Sequence, residues 1–192
     1  MTKSLVIVAH PDDELIWMGG FILKNKDWNF DVITLCRKDD LDRAPRFQKV
    51  CKELNVNRCS MSDLEDEALT NVREKDIVDR IKQMLKNNDY DYVFTHGLNG
   101  EYGHKRHKEI YKAVKNMVKR KELICKKIFY FSYKKNGSSC YINSNADKFI
   151  RLDNGTFSKK KSLIKETYGF PEGGFEEKSC LNKEAFNILK IR

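Results

Sequence analysis

The most constraining stretch of the chain is Leu5-Val6-Ile7-Val8-Ala9, followed without a break by His10-Pro11-Asp12-Asp13-Glu14. An apolar, β-branched run with no polar alternation describes a strand buried on both faces. Such a strand needs helices above and below it, which is the situation of a parallel sheet in an α/β domain. The proline and acids that follow end the strand, and Asp13 to Lys24 reads as a helix.

The rest of the chain repeats this alternation. Strands are expected at Asp31–Cys36, Val56–Met61, Asp91–Thr95 and Lys127–Tyr133. Helices are expected at Arg46–Leu54, at Val72–Lys86 with an Ile77/Ile81/Met84 stripe, and at Lys108–Val118 with Ile110, Ala113, Val114 and Met117 on one side. Strand and helix in turn, with right-handed crossovers, predict a Rossmann-like three-layer α/β/α domain with a mainly parallel sheet. Beyond Lys134 the pattern weakens: a turn at Gly137-Ser138-Ser139, an edge strand at residues 146–152, a helix from Phe157 to Tyr168 and a loop at Pro171–Gly174. Residues 1–192 read as a single domain, less regular from about residue 134 onwards.

Bulk properties narrow the function classes. With 40% hydrophobic and 11% aromatic residues the chain is globular, and no apolar run approaches the length of about 20 residues that spans a bilayer. The segment after Met1-Thr2-Lys3-Ser4 is too short for a signal-peptide core, so a soluble, cytoplasmic protein is expected. Six scattered cysteines without a Cys-x-x-Cys pair read as free, mostly buried thiols. The net charge of +9 is spread along the chain without an aromatic-interleaved basic stripe. It reads as a solvated surface, with an anionic partner as the sharper alternative and no clear nucleic-acid partner.

In open α/β sheets, ligands bind beyond the carboxyl ends of the strands, near the switch in strand order. His10-Pro11-Asp12-Asp13-Glu14 follows the first strand, and His96 to His107 follows the strand ending at Thr95. An Asp pair alone would be a helix cap, with Asp12 or Asp13 as N-cap, and two histidines three apart could be surface residues near a helix start. Together, at two strand ends that can be neighbours, they supply the ligand types zinc uses. No Gly-x-Gly-x-x-Gly follows the first strand, so dinucleotide binding lacks its fingerprint.

These residues carry a resemblance. Ala9-His10-Pro11-Asp12-Asp13-Glu14 resembles the signature of the LmbE-like family, which includes PIG-L-type N-acetylglucosaminylphosphatidylinositol deacetylases and bacterial thiol-biosynthesis deacetylases. Asn99-Gly100-Glu101-Tyr102-Gly103-His104-Lys105-Arg106-His107 is similar to the family's second motif, Asn-Gly-x-Tyr-Gly-His-x-x-His. Leu64-Glu65-Asp66-Glu67-Ala68-Leu69 stands where the family often has Leu-Pro-Asp-Gly-x-Leu. The likeness runs from about Leu5 to Tyr133, with a fainter echo at Lys161–Gly169. Lys105-Arg106 replaces the Pro-Asp that many members carry between the paired histidines, and Glu65 and Glu67 replace Pro and Gly around Asp66.

The resemblance implies that His10, Asp13 and His107 bind a divalent metal, Zn2+ by preference with Fe2+ or another ion as substitutes. It implies Asp12 as general base, His104 as general acid or electrostatic partner, and Tyr102 near the reacting carbonyl. Asp66, Arg46 and His96 are candidate substrate contacts, His96 being equally well a structural residue. Trp17 and Trp28 read as core or rim aromatics. The expected reaction is removal of the acetyl group from an N-acetylglucosamine-containing conjugate, by water activated at the metal. Two other readings stay open: a metal-dependent amidase for a non-sugar or thiol-conjugate amide, and a non-catalytic basic binding module.

Overall fold

Alternate residues of the first strand feed two different cores. In the computed structural model, which describes residues 1–191, Val6 and Val8 point into one apolar cluster and Leu5, Ile7 and Ala9 into the other, all fully buried. The unbroken apolar run is thus explained by helices on both faces.

The strands are β1 (Lys3–Val8), β2 (Asn29–Thr34), β3 (Arg58–Met61), β4 (Tyr92–Thr95) and β5 (Lys127–Phe131), followed by β6 (Tyr133–Asn136), β7 (Ser139–Ile142), β8 (Lys148–Arg151) and β9 (Lys183–Lys190). The helices are α1 (Asp13–Lys24), α2 (Arg43–Glu53), α3 (Glu74–Met84), the short turn α4 (Gly100–Gly103), α5 (Lys105–Lys119), α6 (Asn154–Ser162) and α7 (Phe175–Ser179), with a π-helical turn at Leu163–Thr167 continuing α6. Seven strands form one sheet in the order β3-β2-β1-β4-β5-β9-β8. The first five are parallel, β9 adds antiparallel to β5, and β8 adds antiparallel to β9, so that it again runs with the first five. The fold is the expected Rossmann-like α/β/α sandwich. Among the described residues no helix is long and apolar enough to cross a membrane.

One cluster joins α1, α2 and the π-helical turn to the aromatic face of the sheet (Phe30, Phe94, Phe129, Phe131), and the other joins α3 and α5 to the opposite face. The sheet order reverses on either side of β1, so the carboxyl ends of β1 and β4 flank the crevice where such folds bind ligands.

Two features of the C-terminal part differ from expectation. The strand expected to run to Tyr133 ends at Phe131, and Tyr133–Asn136 instead pairs with β7 across the expected turn at Gly137. β9 gives no strand signal in sequence, yet it lies inside the sheet between β5 and β8. Its Glu184 is fully buried, because Lys160 of α6 neutralises it across 2.7 Å, and that carboxylate also accepts the backbone N–H groups of Gly20 and Phe21 in α1. A buried charge breaks the hydrophobic period by which a strand is recognised.

Candidate active site

The first wall of the crevice is built by the chain leaving β1. Pro11 turns it outward and Asp12 takes φ 122°, ψ −30°, a conformation rarely adopted by a side-chain-bearing residue. Glu14 holds the strained peptide: its Oε2 accepts the Asp12 N–H at 3.0 Å, and its Oε1 accepts the Tyr168 hydroxyl at 2.5 Å. Burial raises the Glu14 pKa to about 7. Asp12 occupies the N-cap position of α1, but its side chain makes no capping bond; it meets the Arg43 guanidinium at 3.0 Å instead. Asp13 is fixed from two sides, Oδ1 accepting Trp17 Nε1–H at 2.8 Å and Oδ2 accepting the His10 N–H at 2.9 Å.

The second wall follows β4. Glu101, at φ 57°, ψ −62°, is another left-handed residue, between the positive-φ glycines Gly100 and Gly103. Its buried carboxylate lies 2.8 Å from His96 Nδ1 and 2.6 Å from His107 Nδ1, while its other oxygen accepts the Gly97 N–H at 2.7 Å. Burial opposes its charge, but the two imidazoles outweigh that and hold its pKa below the usual carboxylate range. Among the described residues, two of the six non-glycines with positive φ, Asp12 and Glu101, thus sit one in each motif, where strain places a candidate functional side chain.

The walls meet at three atoms. His10 Nδ1 lies 3.2 Å from Asp13 Oδ2 and 3.2 Å from His107 Nε2, and His107 Nε2 lies 3.4 Å from Asp13 Oδ2. Carboxylates behind the rings fix their protons: Glu101 faces His107 Nδ1, and Asp66 faces His10 Nε2 at 3.0 Å. A carboxylate oxygen only accepts, so both N–H groups point away and both ring lone pairs converge with the Asp13 oxygen on one point. Three acceptors this close repel one another unless a cation or protons lie between them. Bonds of about 2.0–2.1 Å to a tetrahedral centre place neighbouring donors about 3.3–3.4 Å apart, so the set fits zinc or a similar ion and leaves one coordination position open. In the metal-free protein protons supply the charge. Burial opposes it at both rings, but Asp13 and Asp66 raise His10 to about 9, and Asp13 and Glu101 raise His107 to about 10.

The cleft above has a volume of about 270 Å³ and is lined by Asp12, Trp17, Arg43, Asp66, Tyr102 and His104, among others. Burial and the neighbouring Asp13 push the Asp12 pKa well above the carboxylate range, against the pull of His10 and Arg43. Tyr102 stands edge-on to His107 and Phe175, and burial keeps its hydroxyl protonated. His104 immediately precedes α5, with its ring 4.7 Å from those of His10 and His107.

Three expectations change. His96 is fully buried beneath the site; its Nε2 accepts the Ala9 N–H at 2.9 Å and its ring stacks on His107 at 3.8 Å, so it backs His107 and does not line the cleft. Arg46 points away from the cleft, bonding Asp42 and the Thr167 carbonyl, and Arg43, three residues earlier on α2, takes the place at the cleft. His104 is held neutral, since burial and the two neighbouring imidazoles lower its pKa to about 4. Of the two roles expected of it, a neutral ring suits the electrostatic one. Sequence reasoning missed Glu101 altogether. Its signal was a carboxylate inside the motif that carries the paired histidines, since a histidine at a metal site commonly donates its other ring N–H to a carboxylate.

Fold and site define the class: an α/β enzyme with a candidate metal site of open coordination at its switch point. The chain belongs to the PIG-L (GlcNAc-PI de-N-acetylase) family, whose pattern matches residues 5–118, so that it is a deacetylase of the LmbE type by family. An uncharacterized protein of Acanthamoeba polyphaga mimivirus is 26% identical over 183 residues, covering 88% of this chain and 76% of the relative. The fold is shared with N,N'-diacetylchitobiose deacetylase from Pyrococcus horikoshii (17% identity, TM-score 0.67, 98% of this chain and 84% of that one). It is shared equally with GalB, the 4-carboxy-2-hydroxymuconate hydratase from Pseudomonas putida (14% identity, TM-score 0.71, 100% and 98%).

Proposed function

We propose that the chain is a zinc-dependent N-deacetylase that releases acetate from an N-acetylglucosamine-containing small molecule or glycoconjugate. The observation that carries this reading is the convergence of His10 Nδ1, Asp13 Oδ2 and His107 Nε2 at 3.2–3.4 Å, with Asp12 beside them and at the cleft. When bound, a divalent ion there supplies a Lewis acid for the acetyl carbonyl and for water.

The side chains divide the remaining work. Asp12, whose pKa is raised by burial and by the neighbouring Asp13, takes a proton from the water that attacks the carbonyl carbon. It returns one to the amide nitrogen as the C–N bond breaks, leaving acetate and a free amine. The protonated Tyr102 hydroxyl donates to the oxygen on which negative charge develops, and neutral His104 offers a second donor. Asp66 lines the cleft wall, and its carboxylate is the acceptor assigned to a sugar hydroxyl.

Because a hydratase shares the fold, acetate release is the deciding readout. The zinc-loaded chain, given a panel of N-acetylglucosaminides and non-sugar N-acetyl amides, is expected to release acetate from the glucosaminides. Acetate only from the non-sugar or thiol-conjugate amides would replace the sugar reading with an amidase. No acetate from any of them would overturn the deacetylase.

A further inference from the structure

Lys105 and Arg106, which stand between the paired histidines, have no role in the chemistry above. Arg106 is nevertheless among the largest fully buried side chains of the protein. A buried guanidinium is costly unless its donors are met, and here they are met mostly by one loop. Nε donates to the Glu65 carbonyl, Nη1 to the Thr70 carbonyl at 2.9 Å and to Glu109 Oε2 at 2.6 Å, and Nη2 to Glu65 Oε2. Lys105 Nζ adds bonds to the Leu69 carbonyl at 2.6 Å and Asn71 Oδ1 at 2.8 Å. Glu65 in turn ties the loop to itself, its carboxylate accepting the backbone N–H groups of Ala68 and Thr70.

Residues 65–71 contain no helix or strand, and Leu69 is held at φ 47°. Bonds from the first turn of α5 hold them from one side, and Arg37 holds Asp66 Oδ2 at 3.1 Å and Glu67 Oε1 at 3.4 Å from the other. The loop carries Asp66, whose side chain is 6% exposed and whose Oδ1 has no partner other than His10 Nε2 at 3.0 Å and, further off, His104 Nε2 at 3.9 Å. Glu65 and Arg106, two of the departures from the family's pattern, are thus partners in one ion pair.

We propose that Arg106, acting through Glu65 and the 65–71 loop, is a positioning residue that seats Asp66 against His10 and thereby sets the affinity of the site for its metal. The inference rests on the reading of His10 as a ligand. Removing an outer partner of a metal-bound histidine weakens metal binding about 10- to 100-fold.

The test is zinc affinity by competition with a chelator, together with thermal unfolding of the metal-free protein, for Glu65→Gln, Arg106→Lys, Asp66→Asn and Glu65→Gln/Asp66→Asn. Glu65 has a part-exposed side chain, so its variant carries the test if Arg106→Lys does not fold. Glu65→Gln is expected to weaken zinc binding about 10-fold and to add nothing to the loss in Asp66→Asn. A purely structural role would lower the unfolding temperature and leave the zinc affinity of the folded protein unchanged. That result, or full additivity in the double variant, overturns the inference. If the wild-type chain itself binds no zinc, the ligand assignment fails first and the inference falls with it.

Discussion

Glu101 Oε2 lies 2.6 Å from His107 Nδ1, and neither side chain reaches solvent. This contact decides which nitrogen of His107 carries the proton and which faces the cleft. Glu101→Gln leaves the shape intact but removes the charge that favours the required tautomer. Zinc affinity is expected to fall about 10- to 100-fold, measured by chelator competition on the folded protein. An unchanged affinity would show that packing alone orients the ring.

Asp12 should separate binding from turnover. It is not among the three converging donors, so Asp12→Asn is expected to keep stoichiometric zinc while acetate release falls about 10²- to 10⁴-fold. His107→Ala, by contrast, removes a donor outright and should leave the protein with little bound metal. Wild-type turnover by Asp12→Asn would remove Asp12 from the role of base.

Metal binding should be coupled to protons. His10 and His107 have pKa values raised to about 9 and about 10, so both are charged in the metal-free protein at pH 7 and must lose a proton to bind a metal. Zinc binding near neutrality is expected to release about two protons, with affinity rising as pH increases towards about 9 and levelling off above about 10. Isothermal titration in buffers of different ionisation enthalpy counts these protons; a count of zero contradicts the assignment. Linkage gives the sign for stability too. Folded-state values above the ordinary 6.5 mean that the two charges stabilise the metal-free fold fully below pH 6.5, and that this contribution is lost as pH rises through 9 to 10.

The C-terminal part should prove integral to the domain. Lys160 and Glu184, both fully buried, bond the Ile16 carbonyl and the Gly20 and Phe21 N–H groups of α1, and Tyr133 donates to the Trp17 carbonyl of the same helix. Lys160→Met strands a carboxylate in the core and is expected to cost about 3–5 kcal/mol, read from urea unfolding. A loss below about 1 kcal/mol would mean that Glu184 finds another partner or is protonated.

Local sequence was enough for the architecture as far as Phe131, because β1, β2, β4 and β5 are largely apolar and buried and the connecting helices carry apolar stripes, while the half-buried β3 lies at the sheet edge. It was also enough for His10, Asp12, Asp13 and His107 as candidates, since each stands in a short motif at the end of a strand. The rest depended on contacts between distant segments. β9 was hidden because its buried Glu184 is made tolerable only by Lys160, 24 residues away. Arg43 rather than Arg46 reaches the cleft because the pitch of α2 turns one towards Asp12 and the other towards Thr167. His104 is neutral because two other imidazoles crowd it in a buried site. Charge state and orientation depend on what surrounds a group in space. Sequence alone named the candidate donors; only the tertiary structure brought them together and turned the far ring nitrogens of His10 and His107 towards the Asp66 and Glu101 carboxylates.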